Sequence, residues 1–299
     1  MKPTHTILDR ILVDVRKELA AAQQELPLAE LKRRIADAPA VRSFQTALLA
    51  SFGLIAEIKE RSPSQGPMRR QNIDDAPQAY ERSQIVRAIS VLTNATHFGM
   101  SINRLQQIKT RTTKPVLRKD FVFDEYQVWE ARAFGADAIL LMANLLNAAE
   151  MGRLYDLAHE LGMDALFECH TRKQIEQVPA NAKIYGINSR TFATTSETYD
   201  AARTHRACGA KEDLTTDLTR FELGRHLPPP AIKVAESGIQ ADNVAALRDQ
   251  LGYHAVLVGT SLLTAARGVA RELECFEQAL LKVVETGPES SRNVPAHRL

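Results

Sequence analysis

Cysteine is scarce in this chain, and its placement excludes two classes of protein. Cys169, Cys208 and Cys275 lie far apart, with no metal-ligand or redox spacing. Such usage fits a reduced protein in the cytoplasm and not a disulfide scaffold. Charge of one sign is also lacking. A net charge of +2 offers no basic or acidic face for nucleic acid or a membrane surface. No apolar run approaches the about 20 residues of a membrane-spanning helix. The start, Met1-Lys-Pro-Thr-His-Thr-Ile, leads into an amphipathic stretch rather than the apolar core of a signal peptide. The first strand-like run is not followed by G-x-G-x-x-G, which weighs against dinucleotide binding.

What is present is the balance of a globular protein, 44% apolar and 25% charged over 299 residues. That length suits one large or two ordinary domains. Residues 6–24 read as a helix. Ile7, Leu8, Ile11, Leu12, Val15 and Leu19 share one face, and Asp9, Arg10, Asp14, Arg16 and Lys17 lie opposite. A second helical piece covers residues 28–36, Pro39 stops it, and Ser43-Phe-Gln-Thr-Ala-Leu-Leu suggests one more short helix. Residues 1–50 are therefore expected to form a helical extension that caps the main domain.

From Leu54 the period changes. Candidate strands are residues 54–59, 87–92, 115–119, 137–142, 163–168, 183–187, 231–235 and 254–258, with helical periods in most gaps. Eight such β/α units predict an α/β protein with a closed (β/α)8 barrel, a TIM barrel, over residues 51–285. One gap breaks the rhythm. More than forty residues separate Asn188 from Ala231, so an insertion at about residues 193–214 is expected at the barrel mouth, as a lid or a partner surface. Residues 286–299 read as a flexible tail.

In a parallel barrel the site lies at the C-terminal strand ends. Those ends supply Glu57 and Lys59, Lys119, Glu168, Asn188, Glu236 and Gly259-Thr260. A single polar residue at a strand end is most simply a solvated loop residue. The conjunction is different: two lysines, three glutamates and an asparagine would converge on one mouth and shift one another's proton affinities. Side chains alternate along a strand, so Glu57 and Lys59 share a face, and Cys169 should point away from the face that holds Glu168. Two glycine turns complete the set, Ala235-Glu-Ser-Gly-Ile239 after the seventh strand and Val258-Gly-Thr-Ser-Leu262 after the eighth. Loops at those positions commonly bind phosphate through backbone N–H groups. Gly238, Gly259 and Thr260 are the expected phosphate contacts, with the hydroxyl of Ser237 beside them.

These residues carry a resemblance to a known family. Ala56-Glu-Ile-Lys-Glu-Arg-Ser-Pro-Ser-Gln-Gly66, Ile89-Ser-Val-Leu-Thr93, Pro115-Val-Leu-Arg-Lys-Asp-Phe121, Gly135-Ala-Asp-Ala-Ile-Leu-Leu141, Gly186-Ile-Asn-Ser-Arg190, Ala235-Glu-Ser-Gly-Ile239 and Leu257-Val-Gly-Thr-Ser261 run in family order. The chain resembles indole-3-glycerol phosphate synthase, the carboxy-lyase of tryptophan biosynthesis that closes the indole ring. The resemblance implies the substrate 1-(2-carboxyphenylamino)-1-deoxyribulose 5-phosphate and needs no cofactor and no metal. It also makes association with other tryptophan-pathway enzymes an expectation. Carried over by position, Lys119 is the general acid of ring closure, Lys59 assists loss of the hydroxyl, and Glu168 is the acid–base partner in dehydration. Glu57 and Asn188 orient and polarise these groups. Glu236 and Ser237 contact the sugar, Ser62 lies near the phosphate, Phe98 lines the aryl pocket, and Arg190 orients either the neighbours of the second lysine or the anionic aryl end.

The second-strand loop departs from the family pattern. In Thr93-Asn-Ala-Thr-His-Phe-Gly-Met-Ser101, Asn94 stands for a carboxylate, His97 for an aromatic residue and Met100 for glycine. His97, with no partner visible in the sequence, reads as polar surface, and Lys32-Arg-Arg34 reads as solvated charge. The departures and the insertion leave two alternatives open. One is a paralogous barrel lyase acting on a related aryl-amino-sugar phosphate, and the other is a non-catalytic barrel that binds a pathway partner.

Overall fold

The computed structural model of the chain describes residues 7–190 and 216–281. The predicted insertion and the predicted C-terminal tail lie outside them. Eight parallel strands close into a barrel in sequence order: β1 (Gly53–Ile58), β2 (Val86–Leu92), β3 (Val116–Lys119), β4 (Ala138–Met142), β5 (Asp164–Cys169), β6 (Ile184–Asn188), β7 (Ile232–Glu236) and β8 (Ala255–Val258). Each expected strand is present within a residue or so of its expected bounds. The last strand closes on the first, with Gly53 opposite Ala255 and Ala56 opposite Val258.

The strands read as unbroken apolar runs because both faces are covered. On β1, Leu54, Ala56 and Ile58 face the surrounding helices, while Ile55 faces the lumen. The lumenal cluster also takes Ala88, Leu117, Leu140, Leu166, Ile184, Val234 and Leu257, drawn from all the other strands. Parity then decides which later residues point inward. Two residues beyond Ile55, Leu117, Leu166 and Val234 come Glu57, Lys119, Glu168 and Glu236. Cys169 falls on the outer side among apolar neighbours, as alternation requires.

The barrel is stoppered at both ends by the N-terminal segment. At the base, α3 (Phe44–Ala50) begins at Ser43, whose hydroxyl accepts from Thr46 N at 3.0 Å. Its Phe44 and Leu48 enter the lumenal cluster. Arg42 N donates to Asp137 at 2.7 Å and Gln45 N to Asp164 at 2.9 Å, which fixes the approach. At the opposite end, α1 (Ile7–Glu25) buries Leu8, Ile11, Leu12 and Val15 against the same cluster, close to Phe98, Phe121 and Phe123 on the loops after β2 and β3. Arg16 lies 5.5 Å above the Phe123 ring.

α2 (Leu28–Arg34) packs on the helix after β3 (Glu125–Ala133) through Leu31, Tyr126 and Phe134. Lys32, Arg33 and Arg34 are solvent-exposed, as expected of solvated charges, and two of them also cover rings. Lys32 sits 4.3 Å over the half-buried Trp129 ring and Arg34 sits 5.7 Å over Phe134. These cations cover aromatic faces at the helix interface, a favourable use of a long exposed side chain.

One polar group organises the base. The Asp137 carboxylate is fully buried and accepts from Lys109 Nζ at 2.5 and 2.6 Å, from Val116 N at 2.6 Å and from Arg42 N. It thus joins the helix before β3, the start of β3 and the approach to α3. Removing one partner of a buried ion pair strands the other charge. Asp137→Ala is therefore expected to cost about 3–5 kcal/mol, read from urea unfolding, with a smaller loss when Lys109→Met is added.

Candidate active site

Each inward-pointing polar residue follows from strand parity, and together they form one cluster at the C-terminal end of the lumen. Lys119 Nζ lies 3.2 Å from Glu168 Oε2 and 3.6 Å from Glu236 Oε2. Lys59 Nζ lies 2.6 Å from Glu57 Oε1. Asn188, at the end of β6, is buried beside Glu168 and accepts from Arg190 N at 2.9 Å. The three glutamates are buried, and the Lys59 and Lys119 side chains are 11% and 15% exposed.

Burial alone would neutralise such groups, and the neighbours decide which remain charged. Burial pulls Lys119 down, but Glu168, Glu236 and Glu57 outweigh it and hold the ammonium well above the usual lysine range. Burial pushes Glu168 up, yet Lys119 and His170 outweigh it, so this carboxylate is held below its ordinary range. Glu236 goes the other way, raised well above the ordinary range by burial and by the charge of Glu168. Within the pair, Glu168 is therefore the carboxyl that favours its charge and Glu236 the one that favours its proton. An ammonium donor stands beside a carboxylate base, with a second carboxyl of opposite tendency next to both.

The remaining expected residues lie around this cluster. Arg190 is half-buried. Burial pulls its guanidinium down, and it faces the Glu57 and Glu168 charges. Its carbonyl accepts from Arg220 at 3.0 Å. Ser237 and Gly238 follow β7 in left-handed conformations, with φ of 71° and 70°. For a serine that is a strained geometry of the kind found at ligand sites. Ser189 Oγ donates to the Ser237 carbonyl at 2.9 Å and Asn243 to the Gly238 carbonyl at 2.9 Å, which hold the turn. Gly259 and Thr260 begin the short helix after β8, and Ser261 Oγ reaches the Ile239 carbonyl at 3.4 Å, tying the two glycine turns together. Ser62 is buried on the loop after β1 and accepts from Gln65 N at 3.3 Å. Phe98 packs on the lumenal cluster, its ring centroid 6.4 Å from that of Phe121.

Sequence reasoning missed several members. His170 is buried with Nε2 3.5 Å from Glu168 Oε1, and burial pulls its imidazole below the ordinary range. Its position two residues past Glu168 was the available signal. Gly186 carries no signal of its own in the sequence beyond its place in Gly186-Ile-Asn-Ser-Arg190. A Cβ there would lie 1.9 Å from Glu236 Oε1, so the glycine is the space this carboxylate occupies. Gly259 does the same for Glu57, at 2.6 Å. Behind Lys119, the buried Arg118 donates to Thr93 Oγ1 at 3.1 Å and to the Gln127 carbonyl at 2.7 Å, and pairs with Glu130 at 2.8 Å and Asp120 at 3.3 Å. The reading of His97 as polar surface without a partner is corrected as well: its Nε2 lies 3.2 Å from Asp14 on α1. Among the described residues, no group of three or more His, Cys, Asp or Glu is arranged to hold a metal ion.

A closed parallel barrel with ammonium and carboxylate groups gathered at its C-terminal strand ends defines a barrel enzyme of acid–base chemistry. Comparison with known proteins narrows the class. The family model for indole-3-glycerol phosphate synthase matches residues 8–205. A protein of Paenarthrobacter aurescens (strain TC1) with that name is 37% identical over 268 residues, covering 87% of this chain and 91% of its own. Another of the same name from Micrococcus luteus is 36% identical over 288 residues, 93% of this chain and 99% of its own. The chain belongs to the indole-3-glycerol phosphate synthase family. A solved structure of N-(5'-phosphoribosyl)anthranilate isomerase from Pyrococcus furiosus is similar in fold alone, with a TM-score of 0.50 at 13% identity over 77% of this chain and 98% of that one.

The glycine packing gives a direct test. Gly186→Ala should displace the Glu236 carboxylate, whose movable end is the atom it meets, and leave the barrel folded. A misplaced group in a site commonly costs one to two orders of magnitude, so kcat should fall by about tenfold or more with little change in melting temperature.

Proposed function

We propose that this chain converts 1-(2-carboxyphenylamino)-1-deoxyribulose 5-phosphate to indole-3-glycerol phosphate, CO₂ and water. The observation that carries the reading is the Lys119 ammonium, held protonated between Glu168 and Glu236 in a buried lumen. Ring closure places negative charge on the keto oxygen of the ribulose. A fixed ammonium there lowers that barrier by giving its proton as the bond from the aromatic carbon forms. Loss of CO₂ from the same carbon then returns electrons to the ring. Dehydration needs an acid at the departing hydroxyl and a base for the remaining proton. Lys59, paired with Glu57, is the acid, and Glu168, held ionised, is the base. Glu236 and Ser237 contact the sugar hydroxyls, and Asn188 orients Glu168.

The phosphate end falls to Gly238, Gly259 and Thr260, with Ser62 on the neighbouring first loop. The aryl end falls to Phe98, with Arg190 facing the aryl carboxylate. Asn94 and Met100 no longer argue for a different substrate. Asn94 is the N-cap of a short helix, accepting from His97 N at 2.8 Å, and Met100 is buried in the outer core. Both departures have structural uses. No helix among the described residues is long and apolar enough to cross a membrane. Action in the cytoplasm and association with other tryptophan-pathway enzymes belong to the same proposal.

Turnover is followed by the fluorescence of the indole product. Lys119→Ala should reduce kcat by about a hundredfold, and an unchanged rate would remove Lys119 from its role. Inorganic phosphate should compete with the substrate, raising KM at constant kcat. A purely noncompetitive effect would place the phosphate site elsewhere.

A further inference from the structure

The turn of helix after β2 (Ala95–Phe98) is held at both ends by groups that the reaction does not use. At its start stands Glu18 of α1. Glu18 accepts from Asn94 Nδ2 at 2.9 Å, from Thr96 N at 3.0 Å, from Thr96 Oγ1 at 2.6 Å and from Ala95 N at 3.4 Å. Asp14, one turn earlier on α1, meets His97. At its end the Phe98 carbonyl accepts from Glu60 N at 3.0 Å, and Arg61 donates to the carbonyls of Ala95 and Thr96 at 2.9 and 3.1 Å. Gly99 turns the chain at φ +73°, where a Cβ would meet Glu60 Cβ at 2.8 Å. Glu60 directly follows Lys59. The short helix is therefore a bridge from α1 to the strand end that carries a lysine of the site, and Phe98 is its inward face.

We propose that Glu18 is a positioning residue, which seats α1 on the Ala95–Phe98 turn and so sets Phe98 against the aryl end of the substrate and steadies the segment holding Lys59. This deepens the function proposed above and rests on it for the identity of the substrate. The charge at the contact is matched. A carboxylate can accept several donors from a helix start, and Asn94 supplies an amide donor where a second carboxylate would repel Glu18. Glu18 meets none of the reacting groups, so its loss should weaken binding more than chemistry.

A charge-exchange series tests this. Losing a charge-assisted set of hydrogen bonds is worth about 1.4 kcal/mol, or about tenfold. Glu18→Ala should raise KM by about tenfold and change kcat by less than about threefold. Asn94→Asp, which sets two carboxylates against each other, should raise KM likewise. Adding Glu18→Gln to Asn94→Asp restores a donor and acceptor and should recover most of the loss. Hydrogen exchange gives a readout independent of turnover: amides of α1 and residues 94–99 should exchange faster in Glu18→Ala, with the barrel strands unchanged. Unchanged KM in both single variants, or a double variant no better than Asn94→Asp, would overturn the proposal. So would a lowered melting temperature without selective exchange at α1 and the turn, since that marks a general stability role. If the wild-type chain does not turn over the aryl-amino ribulose phosphate, the function reading fails, and the exchange experiment alone decides the contact.

Discussion

Burying like and unlike charges together is the constraint on which the rest of this molecule depends. Two lysines and three glutamates occupy the inner face of one lumen, the glutamates buried and the lysine side chains mostly so. An isolated charge in such a place costs several kcal/mol. Here the Lys119 ammonium stands between Glu168 and Glu236, Lys59 pairs with Glu57, and the Arg190 guanidinium faces Glu57 and Glu168. Burial raises the proton affinity of both Glu168 and Glu236; the Glu168 charge adds to this at Glu236, while Lys119 outweighs it at Glu168. The arrangement that makes burial tolerable therefore also sets a carboxyl that favours its proton beside one that favours its charge. Stability and acid–base readiness have one origin.

The barrel supplies the geometry for that balance with few special devices. Alternation along a strand puts every second residue inward, so an apolar floor and a polar rim need only a change of residue type two positions on. What alternation cannot supply is room. Glu236 and Glu57 enter a lumen already filled by their neighbours, and glycine at 186 and 259 provides the missing volume. Glycine in a strand weakens it in general. Here the closed barrel, paired on both sides of each strand, tolerates the loss.

How much of this was legible in the sequence follows from which interactions are local. The eight strands were readable because each is a short apolar run of its own, and the inward residues were readable by counting twos from Ile55 or Leu117. The mouth cluster was readable for the same reason. His170 obeyed the same count and was passed over, because its fit beside Glu168 depends on burial that no local pattern shows. Gly186 escaped for a stronger reason: its purpose is the side chain of a residue fifty positions later. Lys32 and Arg34 looked like solvent charges because the rings beneath them belong to a helix almost a hundred residues away.

The same distance argument applies to the second-strand loop, where departures from the family pattern looked like a change of chemistry. Asn94 and His97 read as odd residues for an active-site loop only while α1 is treated as separate from the barrel. With α1 in place they face Glu18 and Asp14, some eighty residues earlier, and each has a charge or dipole that its partner requires. A substitution at such a position acts first on the contact with α1. Lys59, Lys119 and Glu168 answer to one another across the lumen, whereas Asn94 and His97 answer to α1. The loop between them belongs to both sets, since Asn94 and His97 meet α1 while the Phe98 carbonyl accepts from Glu60 N beside Lys59.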